Sequence, residues 1–133
     1  MRRQFTLPAP DVTFLESRAH PWEAISENGT QWVLIKNFDL PAGYNASKAS
    51  IALRIQPMYP DVQIDMAYFL PHLARTDGMP INALTPTPID GQQWQQWSRH
   101  RPRADDDWQI GVDNIERHLL FVRAFLEQEL IKR

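Results

Sequence analysis

Cysteine is absent from the 133-residue chain. That single absence removes disulfides, thiolate metal sites and thiol nucleophiles together. Glycine is scarce, at 5 residues, and forms neither a GxGxxG nor a P-loop pattern, so no phosphate-cradling loop is expected. No apolar run approaches the roughly 18 residues of a membrane-spanning helix. The stretch Met1–Pro8 carries charge without an apolar run of signal length. The cytoplasm is therefore the expected compartment, with no membrane partner. Basic charge is not in excess either: the net charge is -2 and the pI about 6.0, which argues against a nucleic-acid partner. His20, His72, His100 and His118 lie far apart and make no HxxxH or HExxH pair. No metal site and no cofactor is expected.

What the chain does have is 43% hydrophobic and 23% charged residues, 11 prolines and 5 tryptophans. The balance is that of an ordinary globular protein, and the length suits one domain over residues 1–133. Many prolines imply fixed, extended connections between short elements.

Asp11–Arg18 reads as a short helix with Asp11 or Thr13 at its cap. Trp22–Ser26 and Gln31–Phe38 flank Asn28–Gly29, a strong hairpin pattern. Ile51, Leu53 and Ile55 share one face of a third strand, and Val62, Ile64, Met66 and Tyr68 alternate along a fourth. Val112–Ile131 repeats apolar residues at 115, 119, 122 and 126, the spacing of one helix face, with Asp113 and Glu116 as a capping-box variant. The expected class is α+β: a four-stranded antiparallel meander covered by a long C-terminal helix, with a short N-terminal helix. Residues 71–111 are left irregular, although Asp90–Gly91 has the composition of a turn.

Chemistry-bearing residues concentrate in Trp97-Ser98-Arg99-His100-Arg101. Serine near histidine invites a nucleophile–base reading, but residues two apart do not face each other on a helix. A serine nucleophile also needs an oriented base within hydrogen-bond reach. The plainer reading makes Trp94 and Trp97 core anchors and leaves Arg99, His100 and Arg101 as a solvated or anion-binding rim. Asp61 and Asp65, about 13 Å apart on a strand, cannot share a proton.

Pro57-Met58-Tyr59-Pro60, set between two strands, resembles the Pro-x-Tyr-Pro turn of the ubiquitin-conjugating (UBC) fold. Trp108-Gln109-Ile110-Gly111-Val112-Asp113 is similar to that fold's tryptophan before a helix start. Leu40–Asn45, Ile64–Phe69 and Trp97–Arg101 look more specifically like prokaryotic family E of the superfamily. The resemblance spans roughly residues 7 to 130. It implies a UBC-like fold and a place in a bacterial ubiquitin-like modification pathway. The partners it implies are a ubiquitin-like protein (in some operons with tandem repeats), a ThiF-type activating enzyme and a JAB-type metallopeptidase. Where the enzymes carry their cysteine, this chain has Arg99 or His100, and no intact His-Pro-Asn element precedes it; Pro71-His72-Leu73 is nearest in position.

Thioester chemistry is thus excluded, and the expected role is a noncatalytic module that binds or positions a ubiquitin-like protein or its activating enzyme. Tyr59, Pro60, Trp97, Arg99, Arg101 and Trp108 are its candidate partner- or anion-binding residues. The alternative is an unconventional transferase that forms an oxyester on Ser98, assisted by His100. A small hydrolase or anion-binding domain outside conjugation is a third reading.

Overall fold

Asn28 and Gly29 adopt φ of 51° and 79°, the left-handed pair that a type I′ turn requires. In the computed structural model, which describes residues 1–18, 20–99 and 108–131, this turn joins β1 (Trp22–Glu27) to β2 (Thr30–Asp39). Their antiparallel register runs from Trp22↔Ile35 to Glu27↔Thr30. β3 (Lys48–Ile55) and β4 (Ala67–Leu70) extend the meander as expected. The fourth strand is shorter than its alternation predicted. Met66 takes φ of 57°, which breaks the extended backbone and resets the side-chain parity, so β4 begins at Ala67.

The sheet does not stop at four strands. Asp90 and Gly91, with φ of 52° and 76°, form a second turn of the same hand. It joins β5 (Leu84–Ile89) to β6 (Gln92–Trp97), and β6 pairs with β4. The result is a six-stranded antiparallel sheet in the order β1-β2-β3-β4-β6-β5. The expected irregular stretch is therefore in part a hairpin. Pro86 and Pro88 hid it, because proline inside a run argues against a strand. The register explains their presence. Ser98 N–H donates to the Ala83 carbonyl at 3.0 Å, so residues of Ala83's parity face β6 and both prolines face the open side. There they remove donors from an edge that would otherwise recruit another strand. Part of the opposite edge is covered by the N-terminus: Gln4 N–H donates to the Ala24 carbonyl at 2.7 Å, and Ala24 N–H to the Arg2 carbonyl at 3.0 Å.

Both faces of the sheet are apolar, where one was expected. Val33, Ile51, Leu53, Phe69 and Trp97 point to the main core, while Trp32, Leu34, Tyr68, Ile89 and Trp94 gather on the other side. Trp32 and Tyr68 meet edge to face at 4.9 Å. That second cluster is buried because the sheet curls, bringing the β5–β6 turn back to β1–β2. Arg2 spans the closure. Its Nε donates to Glu23 at 2.8 Å and its Nη2 to Asp90 at 2.6 Å, while Asp90 N–H donates to Glu27 at 3.0 Å.

The main core is closed by two helices. α1 (Ala9–Ser17) starts behind Pro8, with Pro10 in its first turn, where a missing N–H costs nothing. Asp11 is not its cap: it lies inside the helix and is buried. α2 (Ile115–Ile131) is the long C-terminal helix, and buries Ile115, His118, Val122, Phe125, Leu126 and Glu129. Asn114, rather than Asp113, caps it, accepting the Arg117 N–H at 3.0 Å. A fully buried aliphatic side chain contributes about 1.5–3 kcal/mol, against about 0–1 for an exposed ion pair such as Arg123–Glu127. Packing onto the sheet, not surface charge, holds α2 in place.

The Arg2 closure is acid-sensitive. Hydrogen bonds from the Arg2 side chain, and then from its backbone N–H, hold the Glu23 carboxyl down at about 2, and Arg2 lowers Asp90 in the same way. A depressed carboxylate stabilises the fold above its unfolded value, about 4.3 for glutamate. That contribution disappears as pH falls toward 2. Glu23→Gln should therefore lower the urea midpoint at neutral pH, and its difference from wild type should vanish in strong acid.

Candidate functional site

Ile115, the first residue of α2, has an N–H with no partner inside its own helix. The Asp11 carboxylate of α1 accepts it at 3.1 Å, and its other oxygen accepts the Tyr59 hydroxyl at 2.6 Å. A negative group at a helix N-terminus also complements the helix dipole. Burial pushes the Asp11 carboxyl up, against the pull of these two hydrogen bonds. The Tyr59 hydroxyl is pushed far above its ordinary value by burial and by the Asp11 it donates to. Trp108 completes the cluster: its Nε1–H donates to the Pro60 carbonyl at 2.9 Å, and its ring lies 6.2 Å from that of Tyr59. Tyr59, Pro60 and Trp108 thus come together at the start of α2.

Trp97 and Arg99 belong to the other end. The Trp97 ring is fully buried, 5.4 Å from Phe125, 5.9 Å from Phe69 and 6.2 Å from Tyr44. The Tyr44 hydroxyl donates to the Leu126 carbonyl at 2.6 Å. Burial, reinforced by the Glu129 carboxylate, raises that hydroxyl well above the usual tyrosine range. The Arg99 guanidinium lies over Trp97 at 5.5 Å and pairs with Glu129. Arg75 reaches Glu129 from the opposite side, donating to its backbone carbonyl at 2.6 Å, while its other edge grips Asp77. A cation on the final carbonyls of a helix again matches the dipole. Gly43 lets the 40–45 loop approach this end closely; a Cβ there would meet Leu130 Cδ2 at 2.9 Å.

The predicted site is therefore divided. The two clusters touch α2 at Ile115 and at Glu129, about 21 Å apart along the axis at about 1.5 Å per residue. Ser98 is half-buried, and its hydroxyl accepts the Gln96 amide at 3.2 Å. No imidazole or carboxylate is among the hydrogen bonds it makes with the described residues. His100 and Arg101 lie outside the described residues. His72 is exposed and its Nε2 meets the Gln93 carbonyl at 3.1 Å, whereas His118 is buried with Nε2 at 2.8 Å from the Met66 carbonyl. An asparagine does stand beside Pro71-His72-Leu73, but from another loop. Asn45 donates to the His72 carbonyl and accepts from Ala74 N–H, so both ends of its amide hold backbone. Among the described residues no three His, Asp or Glu side chains gather as a metal set.

Reading the sequence missed Asp11 as a tertiary cap, missed Arg75 and Glu129 altogether, and had Tyr44 only as part of the Leu40–Asn45 segment. Arg75 and Glu129 are 54 residues apart, and no spacing rule links them. A glutamate on the apolar stripe of α2 was the one available sign, since glutamate is rarely fully buried unless paired.

A family model described as Prokaryotic E2 family E matches residues 7–129. Nothing among curated proteins and nothing among solved structures matches the chain.

Two substitutions separate the roles of the clusters. Asp11→Ala removes a helix cap and orphans the Tyr59 hydroxyl, and should cost about 2–3 kcal/mol of unfolding free energy. Glu129→Ala should cost more than Arg99→Ala. It strips a buried partner from Arg75, a loss of about 3–5 kcal/mol for a broken buried pair, whereas removing Arg99, the more exposed of the two cations at 22%, leaves Glu129 its Arg75 partner. Urea denaturation of the three variants measures the order.

Proposed function

The chain belongs to prokaryotic E2 family E, and from that premise we propose that it is a noncatalytic, UBC-like binding module of a ubiquitin-like conjugation pathway. The observation that carries this reading is the fate of the nucleophile's place. The resemblance puts the cysteine at Arg99 or His100, and Arg99 is built into the scaffold through Trp97 and Glu129. A guanidinium cannot accept an acyl group as a thiolate does, and no cysteine exists elsewhere to substitute.

The partners that fit are those the pathway requires: a ubiquitin-like protein, its ThiF-type activating enzyme and a JAB-type metallopeptidase. The Tyr59-Pro60-Trp108 corner offers a surface for them. Asp11 holds the Tyr59 hydroxyl and the Pro60 carbonyl holds Trp108, so Met58 at 65% and Ile110 at 67% exposure are presented beside anchored residues. Pre-ordered loops lose little entropy on binding. Transfer through a Ser98 oxyester has less support. A serine needs a base to activate it, and among the described residues the Ser98 hydroxyl engages the neutral Gln96 amide.

The test is reconstitution with the ubiquitin-like protein and activating enzyme of the same operon, plus ATP. The intact mass of the chain should stay unchanged, and wild type and Ser98→Ala should co-purify the same partner equally. A hydroxide-labile adduct on wild type that Ser98→Ala lacks overturns the proposal in favour of transfer.

A further inference from the structure

By strand order β1 and β5 are the opposite edges of the sheet. Laid flat, with strands about 4.8 Å apart, they would stand roughly 24 Å from each other. They are instead joined. Arg2, lying along the β1 edge, binds Glu23 of β1 and Asp90 of the β5–β6 turn at once. The Asp90 N–H donates to Glu27 at the end of β1. The same curl brings Ile89 and Trp94 into one cluster with Ile25, Trp32, Leu34 and Tyr68.

The neck that carries this curl is narrow. The hairpin reaches the first three strands through β4, which pairs with β6 at three residues, Ala67↔Trp97, Tyr68↔Gln96 and Phe69↔Gln95. The base of the hairpin is well fixed there. Trp97 is buried in the main core, and the Gln95 side chain holds the Leu73 backbone at both N–H and carbonyl. Its tip, residues 87–94, lies past the last pair with β4. Among the described residues, the polar ties from the tip to the rest of the chain are few. Asp90 meets Arg2 and Glu27, and the exposed His72 ring meets the Gln93 carbonyl. Within itself the tip is a closed ladder from Thr87↔Trp94 to Ile89↔Gln92. The Trp94 Nε1–H adds a bond to the Ile89 carbonyl at 3.1 Å. A piece tied so much better internally than externally moves as one.

The lock is electrostatic. Asp90 and Glu23 repel each other across Arg2, so withdrawing the guanidinium turns a closing attraction into repulsion. Lys36 is the other cation that both carboxylates feel, and it makes no hydrogen bond to either among the described residues. Arg2 is itself placed by its neighbours on the β1 edge. Besides the backbone bonds of Arg2 and Gln4 to Ala24, the Gln4 side chain accepts the Ser26 N–H at 2.8 Å. The Arg3 guanidinium donates to the Trp22 carbonyl at 2.7 Å.

We propose that residues 87–94 are a flap that opens as a unit off the Trp32–Tyr68 face, and that residues 2–4 are the strap that keeps it shut. Opening bares the second apolar cluster and leaves the main core and α2 in place.

The chain has no cysteine, so a single introduced thiol reports its own exposure. Ile89→Cys puts one on the inner side of the flap and Val33→Cys one in the main core, both at positions with 0% exposure. In the folded full chain a disulfide reagent should modify Ile89→Cys about tenfold or more faster than Val33→Cys, with a weaker dependence on urea, as local opening requires. Ile115→Val, in the main core, should speed the reaction at Val33→Cys severalfold and leave that at Ile89→Cys unchanged. Arg2→Ala should speed Ile89→Cys about threefold or more. Amide exchange at Asp90 against Val33 in the unsubstituted chain makes the same comparison and decides the matter if a variant does not fold. Equal rates at the two positions, or an Ile115→Val effect of the same size on both, would overturn the proposal. So would an Ile89→Cys rate that Arg2→Ala leaves unchanged.

Discussion

Helix α2 is clamped at its two ends by side chains of opposite charge delivered from distant parts of the chain. Asp11 accepts the first N–H of the helix, and Arg75 donates to its last carbonyls. Each satisfies backbone groups that a helix leaves unpaired, and each has the sign that the helix dipole favours at that end. The arrangement fixes α2 along its axis as well as against the sheet.

Tyr59, Trp97, Arg99 and Trp108, all singled out from the sequence, connect to one clamp or the other. Through Asp11 the Tyr59 hydroxyl is held, and with it the turn whose Pro60 carbonyl takes Trp108. Through Glu129, Arg99 and Arg75 are tied together beneath Trp97 and Tyr44. Trp97 and Arg99, from the stretch that looked most like an active site, thereby form a joint between β6 and α2.

The legible part of the fold was the part governed by local rules. Asn28–Gly29 forced the first hairpin, alternation set the faces of β2 and β3, and the helical period located α2 to within three residues of its start. Misreadings arose where local rules conflict with neighbours. Pro86 and Pro88 argue against a strand until the pairing of β5 with β6 turns both outward. Met66 continues an alternating pattern, yet its left-handed φ ends the register it seemed to extend. Trp94 and Trp97 were read correctly as anchors, but three positions apart on a strand they serve opposite faces.

The sequence by itself determined the chemistry that is missing. A chain without sulfur in cysteine form cannot carry a thioester in any conformation, because reactivity of that kind depends on the atoms present and not on their placement. It also determined the α+β class, since hydrophobic period and turn residues act over a few positions. Only the tertiary structure decided which candidates share a place. Tyr59, Pro60 and Trp108 meet, Trp97 and Arg99 do not join them, and Asp11 and Glu129, whose partners no local rule names, anchor the two groups. Such assignments belong to long-range contacts between segments 48 to 104 residues apart, and composition and spacing carry no information about those.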